Sequence, residues 1–550
     1  MARVDTSKES DETSALGTVA DAMAEELKRA GVDRVFGLPG GEVLVLIDAL
    51  RRQGVEFVLC RHEANAGLMA AVYGKLKGVP GVVIATLGPG ASNLLLSVTN
   101  SLLDREPLLA ISAQVPNTWS ASRTHQRLPL LEVFRPITKL AQAINAFNCR
   151  GAVRDALAAS IAEPAGPTYL TVSSDVARAV SVAPESPEIT LTADSASWPL
   201  GNPEAAAAEI RDRLESAERP VLAVGMGAHV EHATLIRRWV EEWRLPVTVT
   251  PKMKGIVDET NPLFAGVIAG MALDRVMVEG LGHADLIVGL GLDPAEIDGD
   301  WHERFPMIWI LDSPWATGVV PASGLVACDH YRLLEAVLAK PAPRVWADPL
   351  TEARAERRRV LDGPAGAPGF LSPVGAVRAL AEALPEQTIV TNDVGSHKYL
   401  FGQFWPSRMP GTYFASNGLS GMGYGLPAAI AAKLARPDQP VLAVLGDGGF
   451  SMNSQELETA RRSGAKILVA VLVDSSYSLI WMSQRKQGLE RYGVDFEPID
   501  IVLTAQSCGV RGCRASSEAE LTDWAREALT KGEITVVEIP IRADGYAAMV

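Results

Sequence analysis

Two aspartates frame the stretch of the chain with the most chemical content. Asp447 stands in Gly446-Asp447-Gly448-Gly449, and Asp474 in Val473-Asp474-Ser475-Ser476-Tyr477. The apolar run before Gly446 reads as a buried parallel strand ending in a turn. Residues 451–463 read as a helix, with Leu457, Ala460 and Arg461 on one side and Gly464 suited to its end. Residues 465–474 read as a second buried strand, β-branched and too short to cross a membrane. A right-handed strand–helix–strand unit puts both strand ends on one sheet edge, where open α/β sheets bind ligands. Two carboxylates meeting there repel each other unless a cation lies between them. Oxygen-only ligation by Asp447, Asp474 and a loop carbonyl suits Mg²⁺. A glycine-rich loop before a helix N-terminus suits a diphosphate. The bland alternative is a pair of solvated strand-end aspartates. The shared strand–helix–strand context favours metal and diphosphate.

The rest of the 550-residue chain must position that edge. A hydrophobic content of 47% with 21% charged residues describes a globular protein with room for large cores. The net charge of −14 argues against nucleic acid or an anionic membrane surface as a partner. No apolar stretch suits a transmembrane helix, and residues 1–14 read as a polar tail without the apolar core of a signal peptide. Cys60, Cys149, Cys328, Cys508 and Cys513 are scattered and odd in number, which predicts reduced thiols in a cytoplasmic protein. Residues 181–203 and 341–369 read as linkers, the second with a charged helical middle. They predict domains over 14–180, 200–340 and 370–545. Each block alternates apolar strands with amphipathic helices, so the expected fold class is α/β, with three parallel-sheet domains. Gly225 and Gly227 follow a strand, but Val230 replaces the third glycine of a dinucleotide fingerprint, and the stretch reads as a turn.

Further motifs stand in order along the chain: RHEANAGLMAAVYGKLKGVPGVVIATLGPGASN from Arg61, NDVGSH over 392–397, and NGLSGMGYGLPAA over 417–429. With Gly446-Asp447-Gly448 and Asp474, they resemble the thiamine-diphosphate-dependent enzymes of the acetolactate synthase type, over residues 14–545. The resemblance implies a pyrimidine-binding, a central and a diphosphate-binding domain, with thiamine diphosphate and Mg²⁺ as cofactors. Asp447, Asp474 and the Ser476 carbonyl are the implied metal ligands. Gly395, Ser396, His397, Gly446, Gly448, Gly449 and Tyr477 are implied to line the cofactor, with Met422 wedged between its rings. Glu63 is implied to bond the aminopyrimidine and favour the imino tautomer that takes the thiazolium proton. The cofactor is then the electron sink for a 2-oxo acid that loses CO₂. In the family, the glutamate and the metal site come from different subunits. That implies a homodimer or homotetramer with active sites at the subunit interface. Each residue has a plainer alternative: Glu63 as a surface helix residue, Met422 as core filler, His397 as a surface histidine at a strand end. Gly421 and Gly423 beside Met422 point instead to close backbone approach.

Residues 123–139, 291–298 and 493–502 are similar to the flavin-free catabolic members, and the arginine-rich stretch of flavin-containing ones is absent near 291–298. No FAD is therefore expected. His125 and Gln126 are implied to face the reacting carbon, where they would donate to a developing alkoxide or carboxylate. The chain departs from that subgroup at Glu42, where the others have lysine, and at Ser420, where they have glutamine. They also have glutamine near Ser483, beside which this chain carries Gln484. Val473 replaces the asparagine that usually precedes the second metal ligand. Glu42 should repel an anionic acceptor unless something compensates. The expected function is a carboligase that decarboxylates pyruvate or another 2-oxo acid and joins the fragment to a second one. The alternatives are a decarboxylase or carboligase with another donor or acceptor, and a non-catalytic regulatory or scaffold homologue. Intact Glu63, Asp447 and Asp474 argue against the last.

Overall fold

The computed structural model describes residues 17–184, 199–268, 270–297, 299–313, 324–363 and 366–546. The tail over 1–14 and most of the first expected linker, 185–198, lie outside the described residues, as does Asp298 of the 291–298 stretch. The chain forms three six-stranded parallel sheets, as the alternation of strands and helices requires. Contacts gather it into two compact units, Met1–Ala196 and Ser197–Val550, the second holding two of the sheets.

In the first unit, β1 (Arg34–Gly37), β2 (Glu56–Leu59), β3 (Gly81–Ala85), β4 (Leu108–Gln114), β5 (Ala141–Ala143) and β6 (Pro167–Ser173) lie in the order β2-β1-β3-β4-β6-β5. Every residue of β3 and β6 is buried. A parallel strand covered on both faces is apolar throughout, which is why these segments read as unbroken runs. Met23, Leu27, Val35, Ile84, Ile111 and Leu170 share one core, each full burial of such a side chain stabilising by roughly 1.5–3 kcal/mol.

In the second unit, the central sheet contains β7 (Pro220–Val224), β8 (Val247–Val249), β9 (Phe264–Val267), β10 (Leu286–Leu290), β11 (Met307–Leu311) and β12 (Leu325–Ala327). Their order is β12-β11-β10-β7-β8-β9, around a core that includes Ile236, Trp239, Val288 and Ile310. Within the expected linker over 341–369, Thr351–Leu361 is helical. Leu350 and Ala353 nevertheless pack with Met277 and Leu281, so this segment is an element of the core and not a free tether.

A two-residue hairpin, β13 (Gly366–Ala367) with β14 (Phe370–Leu371), precedes the last sheet. That sheet contains β15 (Ile389–Asn392), β16 (Tyr413–Ala415), β17 (Val441–Gly446), β18 (Leu468–Val473), β19 (Arg511–Arg514) and β20 (Thr535–Pro540), in the order β16-β15-β17-β18-β20-β19. The first and last sheets thus share one strand order. In each, the chain leaves its first strand to one side and returns on the other, so the connections diverge between β1 and β3 and between β15 and β17. Ligands of open α/β sheets bind at that point, outside the carboxyl ends of the strands. Among the described residues no helix is long and apolar enough to cross a membrane.

Candidate active site

The carboxyl edge of the last sheet holds the aspartate pair. β17 and β18 are parallel neighbours, registered from Leu442↔Leu468 to Gly446↔Leu472, so Asp447 and Asp474 leave the sheet side by side. No turn separates β17 from its helix. Gly446 is extended, and Asp447 itself opens a helix over Asp447–Asn453 that is followed by a second over Glu456–Ser463. Gly464 ends the second helix in a left-handed conformation, as expected. The expected single helix is therefore two, and the glycines lie in the first turn of the first.

The two aspartate connections form one site. Asp447 Oδ2 accepts the amides of Asp474 at 3.2 Å and Ser475 at 2.7 Å, and Oδ1 accepts that of Gly448 at 2.9 Å. Asp474 accepts the Ser476 amide at 3.2 Å and the Ser478 hydroxyl. Burial raises the Asp474 carboxyl to about 6, and the charge of Asp447 adds to the shift. Burial also raises Asp447. Two carboxylates raised by burial, one of them further by its neighbour's charge, suit a hard cation with oxygen ligands. The Ser476–Tyr477 loop is pinned from outside, the Tyr477 amide donating to the Val494 carbonyl at 2.8 Å and Arg491 to Ser476 Oγ at 3.1 Å.

Around the pair, glycine is needed where side chains close in. A Cβ on Gly448 would stand 2.7 Å from the Tyr477 ring and 3.5 Å from Met422 Cε, and one on Gly449 2.0 Å from Asp393 Oδ2. The His397 ring packs against both Gly395 and Gly446. His397 is buried, not a surface residue, and desolvation lowers its pKa to about 3. The ring is therefore neutral, and its Nε2 has no partner among the described residues, nor has Ser396 Oγ. Buried polar atoms without partners cost about 1–3 kcal/mol each, and two on neighbouring residues, with the His397 ring against Gly395 and Gly446, suit a polar ligand group. Gly423 has φ +88° and a Cβ there would meet Asn453 at 2.2 Å, in keeping with the close approach expected beside Met422.

The structure adds Asp393, which the sequence reading passed over. It is buried directly after β15, accepts the Gly423 and Tyr424 amides at 2.8 and 2.9 Å, and leaves Oδ2 without a partner among the described residues. Burial raises its pKa to about 6. It thereby ties the Met422 loop to the head of the Asp447 helix.

The carboxyl edge of the first sheet is built differently. Glu63 is the first residue of the helix Glu63–Lys77, directly after β2, and is 8% exposed. His62 caps that helix, its Nδ1 accepting the Ala64 amide at 3.1 Å. Asn93 donates to Glu63 Oε2 at 2.9 Å, and a Cβ on Gly90 would stand 3.2 Å from Oε1. Glu63 is therefore a held carboxylate, not a mobile surface one. Across the β1–β3 divergence, Thr86 donates to Glu42 Oε2 at 2.7 Å. Gln126 lies in the exposed loop after β4, with φ +56°, and its Cβ lies 3.1 Å from where a Cβ on Gly88 would stand. His125 is exposed in the same loop.

Of the departures, Ser420 accepts from the buried Lys398 at 3.0 Å. Gln484 donates to the Tyr492 carbonyl at 2.8 Å, while Ser483 only bonds back to its own helix. In the central sheet, the Gly227 amide donates to the Gly291 carbonyl at 2.7 Å, and that of Met226 to Glu296 Oε2 at 2.8 Å. These glycines serve close packing between the β7 and β10 connections, as the turn reading expects.

Three family models match the chain in order. They are the N-terminal TPP binding domain of thiamine pyrophosphate enzymes over residues 17–132, the central domain over 207–316, and the C-terminal TPP binding domain over 393–539. The chain is 30% identical to the acetolactate synthase of Bacillus subtilis (strain 168) over 546 residues, 95% of this chain and 93% of that one. It is 29% identical to the catabolic acetolactate synthase of Raoultella terrigena over 538 residues, 95% and 94% of the two chains. It is 28% identical to the acetolactate synthase isozyme 2 large subunit of Escherichia coli (strain K12) over 502 residues, 90% of each.

Proposed function

The chain belongs to the thiamine pyrophosphate enzymes of the acetolactate synthase type, and on that premise we propose that it decarboxylates pyruvate and joins the two-carbon fragment to a second 2-oxo acid. It is a thiamine-diphosphate-dependent carboligase acting on 2-oxo acids. The observation that carries the site assignment is the buried pair Asp447 and Asp474, joined where Asp447 Oδ2 accepts the Asp474 and Ser475 amides.

When bound, the cofactor supplies a carbon nucleophile and takes up the electrons released as CO₂ leaves. In this reading Asp447, Asp474 and the Ser476 carbonyl hold Mg²⁺. The partnerless His397 Nε2 and Ser396 Oγ support a diphosphate beside them. Met422 and Tyr477, both against Gly448, would hold the cofactor's rings in place, a proximity effect. Glu63, fixed by Asn93, would offer its carboxylate to a ring nitrogen of the cofactor. His125 and Gln126 lend hydrogen bonds to the developing charge.

FAD has no part in this reading, which places the chain with the flavin-free catabolic members. Support comes from Glu296, whose carboxylate takes the Met226 amide and the Thr250 hydroxyl at the divergence of the central sheet, each at 2.8 Å. Those donors are then spent on protein and not on a diphosphate. The functional unit in this reading is a homodimer or homotetramer, each active site combining Glu63 of one subunit with the metal site of the other. This reading places the protein in the cytoplasm, where its five cysteines would be reduced thiols.

The test is purified protein with thiamine diphosphate, Mg²⁺ and pyruvate, without flavin, with CO₂ and acetolactate assayed together. Equal amounts of both are expected. A second reading rests on Glu42, whose carboxylate disfavours an anionic acceptor. CO₂ without acetolactate would replace the first reading with this one. Absence of both products would refute pyruvate as donor.

A further inference from the structure

Three ligating side chains converge at the carboxyl edge of the central sheet, away from the chemistry described above. His229 follows β7, Asp312 follows β11, and His330 opens the helix His330–Leu338 after β12. His229 Nε2 lies 2.9 Å from Asp312 Oδ2, and His330 Nδ1 lies 3.2 Å from the same oxygen. Ligating atoms of all three fall within 4.8 Å of one another. Ligands around a tetrahedral ion with bonds of about 2.0–2.1 Å stand about 3.3 Å apart. The two histidine–carboxylate separations are already near that spacing.

The second observation is the surroundings of His330. It is buried, and its Nε2 lies 3.2 Å from the Ile310 carbonyl. Both ring nitrogens thus face oxygen acceptors, while a neutral imidazole has one N–H. With Nε2 donating to Ile310, Nδ1 directs its lone pair at the Asp312 carboxylate, and it has no hydrogen-bond partner among the described residues. A cation at that point turns an acceptor–acceptor contact into coordination. An outer N–H on a backbone carbonyl and an inner nitrogen facing a carboxylate is the arrangement that orients metal-ligating histidines.

We propose that His229, Asp312 and His330 bind one divalent transition-metal ion of the zinc class, separate from the Mg²⁺ site at Asp447 and Asp474. Imidazole ligands select such ions over Mg²⁺, which prefers an all-oxygen shell. Two histidines and one carboxylate leave a fourth tetrahedral position to solvent. The ion would fasten the connections after β7, β11 and β12 to one another. The site is independent of the carboligase reading.

The test uses the full-length protein saturated with thiamine diphosphate and excess Mg²⁺, titrated with Co²⁺ as a visible probe. One Co²⁺ per chain with tetrahedral d–d bands, displaced by Zn²⁺, is expected. His229→Ala and Asp312→Asn should each weaken Co²⁺ binding about tenfold or more. His229 is only half-buried, so that variant should keep its fold, checked by circular dichroism. The proposal is overturned if wild type binds no Co²⁺ beyond what Mg²⁺ displaces, or if both variants bind it unchanged. Either result would mean that Asp312 only packs against the two imidazoles and holds no metal.

Discussion

The first and last sheets share a strand order and gather carboxylates at the same kind of edge, yet they treat those carboxylates in opposite ways. In the first, Glu63 and Glu42 each take a side-chain donor, Asn93 and Thr86. In the last, Asp393, Asp447 and Asp474 are bonded largely by backbone amides, are raised by burial, and stand near partnerless His397 and Ser396 atoms. One edge is complete as it stands and suits an uncharged ring that needs a single directed hydrogen bond. The other is electrostatically incomplete and suits a cation and an anion together. In the proposed reading, one topology serves two ends of one cofactor through loop chemistry alone.

The comparison breaks most visibly at Glu63. Glu63→Gln keeps the Asn93 contact but not the proton affinity, and should lower kcat about 10²–10⁴-fold while cofactor affinity stays near wild type. Parallel loss of both would assign Glu63 to binding only. Asp447→Asn should do the reverse, weakening Mg²⁺-dependent cofactor binding about 100-fold by removing a ligand charge, as read by fluorescence titration.

The pH dependence sharpens the contrast. With its folded pKa raised to about 6, Asp474 holds a proton below that pH which Mg²⁺ must displace. Mg²⁺ affinity should therefore be full above about pH 6 and fall as pH drops through it. In metal-free protein the sign is opposite. Protonation of the pair favours the folded state, and that contribution is lost as pH rises through about 6. Melting temperatures with and without Mg²⁺, between about pH 5 and about pH 7.5, check both signs. The smallest effect is expected at Asn93. Asn93→Ala leaves the Glu63 side chain present but unaligned and should cost about tenfold in kcat, with little change in Mg²⁺ dependence.

Much of this was legible in the sequence. The unbroken apolar runs announce parallel strands because both faces are covered, and Asp447 and Asp474 are linked by the one unit that forces their connections together. Glu63 was singled out by the family resemblance of the stretch from Arg61, and the structure puts it at the head of a helix after β2. What was hidden depends on distant contacts. Asp393 is a single aspartate at a strand exit, and its part comes from the Gly423 and Tyr424 amides that fold onto it. Asn93 reaches Glu63 only because the connections after β2 and β3 meet in space. The helix start at Asp447 was misplaced because glycines usually mark turns, whereas these glycines admit Tyr477 and Asp393 against a helix. His229, Asp312 and His330 share no sequence spacing at all, and only the strand order of the central sheet unites them.

The central claim is that the two unlike edges act as halves of one active site supplied by different subunits. The most direct test is to co-assemble Glu63→Gln and Asp447→Asn chains and measure acetolactate formation at a thiamine diphosphate concentration that saturates wild type but lies far below the Asp447→Asn Kd, so that each variant alone is nearly inactive. Shared sites predict that a mixed dimer regains one intact site, so random pairing restores about a quarter of wild-type activity. Activity no greater than that of the two variants assayed separately would contradict the claim.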